Sequence, residues 1–268
     1  MTHWETLIAK APQEDHPLLG VFRMKSSECQ FHLVQGQGAG VLWMGLPFEG
    51  VSQMLLYLTP EHRTPTDWQS LLVLAEKRAR DLQATAVLLE APSGSWRYEG
   101  AIQQGFEEVG AYRSLRWAEV PEHVLPEGFG LLPYSEVQDP VVLLEILKKG
   151  YSGQVGHHEP NARTVEDLLG MVPAEHIWFL QHQQEHVGIC RIDWWDGHWV
   201  LDAPGIVPEH RTPELALAFV SRVVGHVKDI QMQSWGDPLE TVLLYQQAGA
   251  VLLEQTPYLQ KKLDSIDP

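Results

Sequence analysis

Thirteen histidines and two cysteines are the residues whose chemistry is most easily tested against their spacing. His157-His158-Glu159 and the pair His182/His186 form the tight clusters. A four-residue spacing puts two ligands on one face of a helix. Yet Val187–Trp195 with its preceding turn reads as a strand hairpin, and no cysteine pair completes a zinc site. The expectation is that no metal is bound. Cys190 sits in Val187-Gly-Ile-Cys-Arg-Ile192, a strand pattern without a basic partner. It reads as a small buried apolar group rather than a nucleophile. Trp194, Trp195 and Trp199 cluster in one hairpin, as core, as interface, or as the wall of an apolar pocket.

Composition removes several function classes. Lys plus Arg total 19 and Asp plus Glu 35, a formal charge of −16. Such a surface does not attract phosphate backbones, so no nucleic-acid partner is expected. Apolar runs such as Thr85–Leu89 and Val251–Leu253 are far too short to cross a bilayer, so no membrane partner is expected either. Cys29 and Cys190 are isolated and the first residues carry no apolar signal-like stretch, which fits a cytoplasmic location. Nothing in the sequence sets an oligomeric state.

The elements that position any site are duplicated. The hexapeptide Pro-Glu-His-Arg-Thr-Pro occurs at Pro60–Pro65 and at Pro208–Pro213, an offset of 148 residues. Each copy follows a strand-like segment, Met54–Thr59 or Trp199–Val207. Each precedes a helical pattern, Asp67–Leu82 or Glu214–Val227. The second proline of each falls in the first helical turn, where a missing N–H is harmless. A β-rich run follows, Thr85–Ala91 or Asp229–Trp235, then a short helix ending at Gly105 or Gly249. The closing strands are Tyr112–Val120 and Ala250–Leu263. The second copy also carries two candidate helices in front, Glu136–Lys149 and Thr164–Met171, whereas the first has one, Trp4–Lys10. The boundary falls near Pro121–Gly128. The expectation is α/β, with unit 1–122 shortened and unit 126–268 complete.

The order strand, Pro-Glu-His-Arg, helix, strand, helix, Gly-led strand resembles the GNAT-type N-acetyltransferase superfamily. The residues that carry the resemblance are Ile206-Val-Pro-Glu-His-Arg211 with Leu244-Tyr245-Gln-Gln-Ala-Gly249, and Leu58-Thr-Pro-Glu-His-Arg63 with Gln103-Gln-Gly-Phe106. The resemblance covers nearly the whole chain as two tandem units, each a twisted mixed sheet flanked by helices. It implies acetyl-CoA as co-substrate and a small-molecule primary amine as acceptor. In the family, backbone N–H groups at a helix start cradle the pyrophosphate. By that pattern Ile206, Val207, Arg211, Thr212, Glu214, Leu215 and Ala216 are the candidate acetyl-CoA residues. Arg211 and Ala216 keep the family pattern. Glu214 replaces its first glycine, and Pro213 removes a donor.

The resemblance also assigns roles. Tyr245 matches the family tyrosine that protonates the departing thiolate, and Ala101 stands in its place in the first copy. Asp202, on the strand entering the second hexapeptide, is the candidate base, with Asp193 as second choice and Met54 as the first copy's counterpart. His62 and His210 replace a family aromatic and are expected to pack. Catalysis is therefore expected in the second unit, with a structural or regulatory first unit. The altered phosphate loop leaves a second reading: a catalytically silent tandem module for ligand binding or interaction.

Overall fold

A computed structural model describes residues 3–34, 37–157 and 159–263. Two compact units emerge: Met1–Val109 with Pro257–Pro268, and Gly110–Thr256. The first unit opens with helices α1 (His3–Lys10) and α2 (His16–Met24). Strands β1 (Gln30–Val34), β2 (Gln37–Met44) and β3 (Val51–Leu58) follow as an antiparallel meander. Helix α3 (Pro65–Asp81) then returns the chain so that β4 (Ala86–Glu90) lies parallel to β3. Helix α4 (Trp96–Gln103) completes this part. Helix α2 is absent from the sequence expectation because Pro17 and Gly20 interrupt its apolar pattern. Pro17 lies in the first turn, where its ring is tolerated, and Leu19 and Phe22 are buried.

The second unit repeats the order. Strand β5 (Glu107–Glu119) runs into it, and β6 (Phe129–Pro133) begins its own meander. One expected helix is two, α5 (Tyr134–Val137) and α6 (Pro140–Gly150). Gln138 between them is left-handed, at φ 51°, and Asp139 caps α6 ahead of Pro140. Helix α7 (Ala162–Met171), β7 (Ile177–His182), β8 (Glu185–Trp195) and β9 (His198–Asp202) follow. The strand expected over Trp199–Val207 breaks at Ala203–Pro204, leaving a two-residue β10 (Gly205–Ile206) paired with β8 alone. Helix α8 (Pro213–Val224) is buried almost all round, from Leu215 to Val224. It returns the chain to β11 (Lys228–Trp235), parallel to β9, and α9 (Leu239–Gln247) follows.

The closing strands are exchanged. Strand β5 pairs antiparallel with β11, Lys228 opposite Glu119 through Trp235 opposite Tyr112. The last strand, β12 (Val251–Lys262), pairs through Tyr258–Lys262 with β4. The compact units therefore part from the sequence halves 1–122 and 126–268 at their final strands. A period of two in the sequence reports which face of a strand is buried, not which sheet edge it joins.

Equivalent close contacts occur in both units at the 148-residue offset. A Cβ on Gly40 would lie 2.6 Å from the carbonyl oxygen of Tyr57, and one on Gly188 would lie 3.0 Å from that of Gly205. Both glycines admit the strand that leads into the hexapeptide. After the short helices, Phe106 N–H donates to Ala101 O at 3.1 Å, and Ala250 N–H to Tyr245 O at 2.9 Å.

Each unit has its own core. In the first, Leu42, Met54, Leu56, Leu71, Ala75 and Leu89 pack α3 against the sheet. In the second, Cys190, Leu201, Phe219, Val220, Ile230, Met232 and Tyr245 fill the side of α8 and α9. Leu143, Ile146, Val165, Phe179 and Ile189 fill the side of α6 and α7. Among the described residues, no helix is long and apolar enough to cross a membrane.

Candidate active site

Both hexapeptides fold alike. Pro60–His62 and Pro208–His210 each make one 3-10 turn. Thr64 caps α3 by accepting from Asp67 N–H, and Thr212 caps α8 by accepting from Leu215 N–H at 3.2 Å. The guanidinium of each arginine folds back onto the incoming strand. Arg63 Nε donates to Leu58 O at 3.2 Å and Arg211 Nε to Ile206 O at 2.9 Å. Repeated sequence thus gives repeated hydrogen bonding.

These bonds bear directly on the seven candidate acetyl-CoA residues. Arg211 also donates through Nη2 to Gly150 O at 3.0 Å and Ser152 O at 2.6 Å. Its side chain is turned into the protein. Val207 N–H is engaged by Val187 O at 2.9 Å, Leu215 N–H by Thr212, and Ala216 N–H by Thr212 O at 3.0 Å. Pro213 has no N–H. Ile206, Leu215 and Ala216 are buried, while Thr212 and Glu214 are exposed on the first turn. The donors that would cradle a pyrophosphate are largely used within the loop itself, and Glu214 sets a carboxylate beside it.

Above this loop the sheet opens into a fork. Strands β9 and β11 stay together through Asp202 and Gln233, with Ala203 N–H donating to Gln233 O at 2.9 Å. Beyond that point β10 pairs only with β8. The segment Gly150–Val155 lies in the opening. The Tyr151 hydroxyl donates to Ala203 O at 3.2 Å, and a Cβ on Gly205 would lie 2.9 Å from the Tyr151 ring. Gln154 Nε2 donates to Asp237 Oδ1 at 3.2 Å, and the Val155 carbonyl rests on Gly236. Part of the chain's own backbone therefore fills the fork. The engaged donors and Glu214 at the start of α8 fit the pyrophosphate end of an acyl donor poorly.

Tyr245 approaches the fork from α9. It is fully buried, in edge contact with Trp117 at 5.4 Å between ring centroids. Its hydroxyl has no hydrogen-bond partner among the described residues. Burial, and then the nearby carboxyl of Asp237, hold the phenol well above its ordinary pKa, so it stays protonated. Asp237 is buried too, which raises its own pKa against the opposing pull of Ser234, Arg113, Arg211 and Gln154. Buried unsatisfied hydroxyls are rare enough to require a reason.

Asp202 sits on the opposite face of the sheet. Its carboxylate accepts a hydrogen bond from Arg191 Nε, just beyond the Ile192–Leu201 pair that ends the β8–β9 ladder. Burial works against the charge of Arg191, but Asp202 beside it raises its pKa. Asp202 borders a cavity of 210 Å³ at the level where the fork begins. Asp193, two residues along β8 from Arg191, borders the same cavity. Asp202 and Tyr245 therefore lie on opposite faces of the sheet. Cys190 is buried, its thiol donating to Asp202 O at 3.3 Å, and burial pushes its pKa well up. It serves as a core residue.

The histidines divide. His182 stacks on Phe129 at 4.5 Å and meets His210 edge-on at 4.8 Å, so His210 packs against rings. His62 departs from the packing expectation. Its Nδ1 lies 3.2 Å from Asp67 Oδ2, and His32 Nε2 lies 3.4 Å from Asp67 Oδ1. His157 stacks on Tyr151 at 4.1 Å, and His158 lies outside the described residues. Among the described residues, no group of three His, Cys, Asp or Glu is placed to hold a metal.

Sequence reasoning missed Tyr151, Gln154 and Asp237. The available signal was the run Gly150-Tyr-Ser-Gly153-Gln-Val-Gly156, a glycine-rich connection between α6 and α7 with no counterpart in the first copy.

No protein-family model matches the chain, and no curated protein matches it. Solved structures do. A GCN5-related N-acetyltransferase from Sphaerobacter thermophilus is similar over 96% of this chain and 90% of its own, at 16% identity and a TM-score of 0.61. One from Anabaena variabilis is similar over 95% of this chain and 72% of its own, at 13% identity and a TM-score of 0.59. A tandem GNAT protein from the clavulanic acid biosynthesis pathway is similar over 98% and 94%, at 15% identity and a TM-score of 0.51. The chain has the α/β fold of the GCN5-related N-acetyltransferases, built as two tandem units.

Proposed function

We propose that the C-terminal unit transfers an acetyl group from acetyl-CoA to a small-molecule primary amine, and that the N-terminal unit is structural or regulatory. The observation that carries this reading is the Tyr245 phenol, buried at the fork, held well above its ordinary pKa by burial, and without a hydrogen-bond partner among the described residues. A neutral amine attacks the thioester carbon, the C–N bond forms and the C–S bond breaks. In this reading Asp202 receives the amine's proton from the cavity side, and Tyr245 donates one to the departing sulfur. The first unit has Ala101 and Met54 at the two matching places, and neither side chain can move a proton.

The filled fork supports a second reading, a silent module of the same fold. With Arg211 spent on Gly150 and Ser152, the acyl donor enters only if Gly150–Val155 moves aside. The two readings part in a transfer assay with acetyl-CoA and a panel of primary amines. The enzyme reading expects turnover that falls about ten- to a thousandfold in Tyr245→Phe. No turnover with any amine, together with no acetyl-CoA binding, establishes the silent module.

A further inference from the structure

The 210 Å³ cavity beside Asp202 has a composition that selects its ligand. Alternation along β8 sets Arg191, Asp193 and Trp195 on one face, and β9 adds Val200 and Asp202 to it. Arg191 is bonded to Asp202, so that pair is neutral as a unit. Asp193 is left as the unbalanced charge. Its Oδ1 accepts from Trp194 N–H at 2.8 Å, and His176 Nδ1 lies 3.6 Å away, an ion pair only when that imidazole is protonated. The Asp193 side chain is 26% exposed, open enough to receive a donor and shielded enough to favour a cation.

The remaining wall is mostly apolar, formed by Met171, Val172, Val200 and Trp195, with the Gln233 amide as its one further polar group, and Trp195 is 68% exposed. An indole face attracts ammonium groups by its quadrupole. At about 30 Å³ per water, the cavity holds roughly seven waters, the room of a compact metabolite. It is smaller than the pockets that take drug-sized ligands.

We infer that this cavity binds a compact monocationic primary amine with an apolar body, its ammonium on Asp193 and its carbon skeleton against Val200, Met171 and Trp195. This rests on the acyl-transfer reading for its biological sense, since the amine is then the acceptor, but the binding itself requires no acetyl-CoA. A polyamine is a poor fit, because the other carboxylate of the cavity, Asp202, is already engaged by Arg191 and the rest of the wall is mostly apolar. A carboxylate is repelled by Asp193.

Calorimetric titration of the full chain with hexylamine, hexanol, hexanoate and spermidine, without acetyl-CoA, tests the inference. Hexylamine is expected to bind at least tenfold more tightly than hexanol or hexanoate and no more weakly than spermidine. Asp193→Asn is expected to weaken hexylamine at least tenfold, and Trp195→Ala, at an exposed hairpin position, about fivefold. Equal binding of hexanol, tighter binding of hexanoate or spermidine, or hexylamine binding unchanged in both variants overturns it. Hexylamine that binds as expected but is never acetylated defeats the acyl-transfer reading and leaves the cavity assignment standing. Amine acetylation whose KM is unchanged in Asp193→Asn and in Trp195→Ala does the reverse.

Discussion

Gly236 and Val155 meet at the mouth of the fork: a Cβ placed on Gly236 would stand 2.0 Å from the Val155 carbonyl oxygen. No side chain fits there. Gly236 also has φ +75°, a left-handed conformation that L residues resist by about 1–2 kcal/mol. The contact explains why a glycine follows β11 and how the segment after α6 settles into the sheet opening.

Gly236→Ala should therefore loosen Gly150–Val155. The variant should lose about 1–3 kcal/mol of stability from strain and displaced contacts. Limited proteolysis should cut between α6 and α7 faster than in the wild type. Unchanged stability and cleavage would show that the segment does not rest on Gly236 in solution.

The duplicated close approaches make a paired prediction. Gly40→Ala and Gly188→Ala should both destabilise. Gly40→Ala should do so more, because its new methyl group meets a backbone oxygen at 2.6 Å rather than 3.0 Å. Chemical denaturation of the two variants checks the order, and equal or reversed effects would break the equivalence.

The repeat was legible because both copies of Pro-Glu-His-Arg-Thr-Pro make the same local bonds, and local bonds follow local sequence. Arg63 and Arg211 each reach the carbonyl five residues earlier. The exchange of β5 and β12 was not legible, because strand pairing is set by edges far apart in sequence. Tyr245 and Asp202 could be named from their positions. The surroundings that decide what they do are Gln154 on Asp237, a contact between distant parts of the chain that no spacing announces, and Arg191 on Asp202, which is fixed by the register of the β8–β9 hairpin. Helix α2 was hidden by Pro17 and Gly20, whose helix-breaking tendency is outweighed by burial of Leu19 and Phe22.

Asp237 should make stability depend on pH. Its pKa is raised in the folded chain, mainly by burial. Between the ordinary carboxylate range and that raised value, the folded state holds a proton that the unfolded state has released. The contribution is complete below the ordinary range and is lost as pH rises through the folded value, by at most about 1.4 kcal/mol per pH unit for one proton. Asp237→Asn should remove this fall. Denaturant unfolding of both proteins from acid to neutral pH measures it, and parallel profiles would exclude Asp237 as the source.

Tyr245→Phe should separate stability from activity. The hydroxyl is buried without a partner among the described residues, so its removal relieves an unsatisfied group and should leave stability unchanged or raise it by about 1–3 kcal/mol. Transfer should slow about ten- to a thousandfold. A large loss of stability in this variant would show that the phenol is a structural hydrogen-bond donor instead.

The central claim is that the fork of the C-terminal unit is an acyl-CoA site closed by Gly150–Val155. Calorimetric titration of acetyl-CoA into the wild type, Gly236→Ala and Gln154→Ala tests it most directly. Weak binding is expected in the wild type, because the segment and the occupied donors of the α8 start oppose it. Loosening the segment at either residue should tighten binding at least tenfold, about 1.4 kcal/mol. Folded variants that bind acetyl-CoA no better than the wild type would contradict the account.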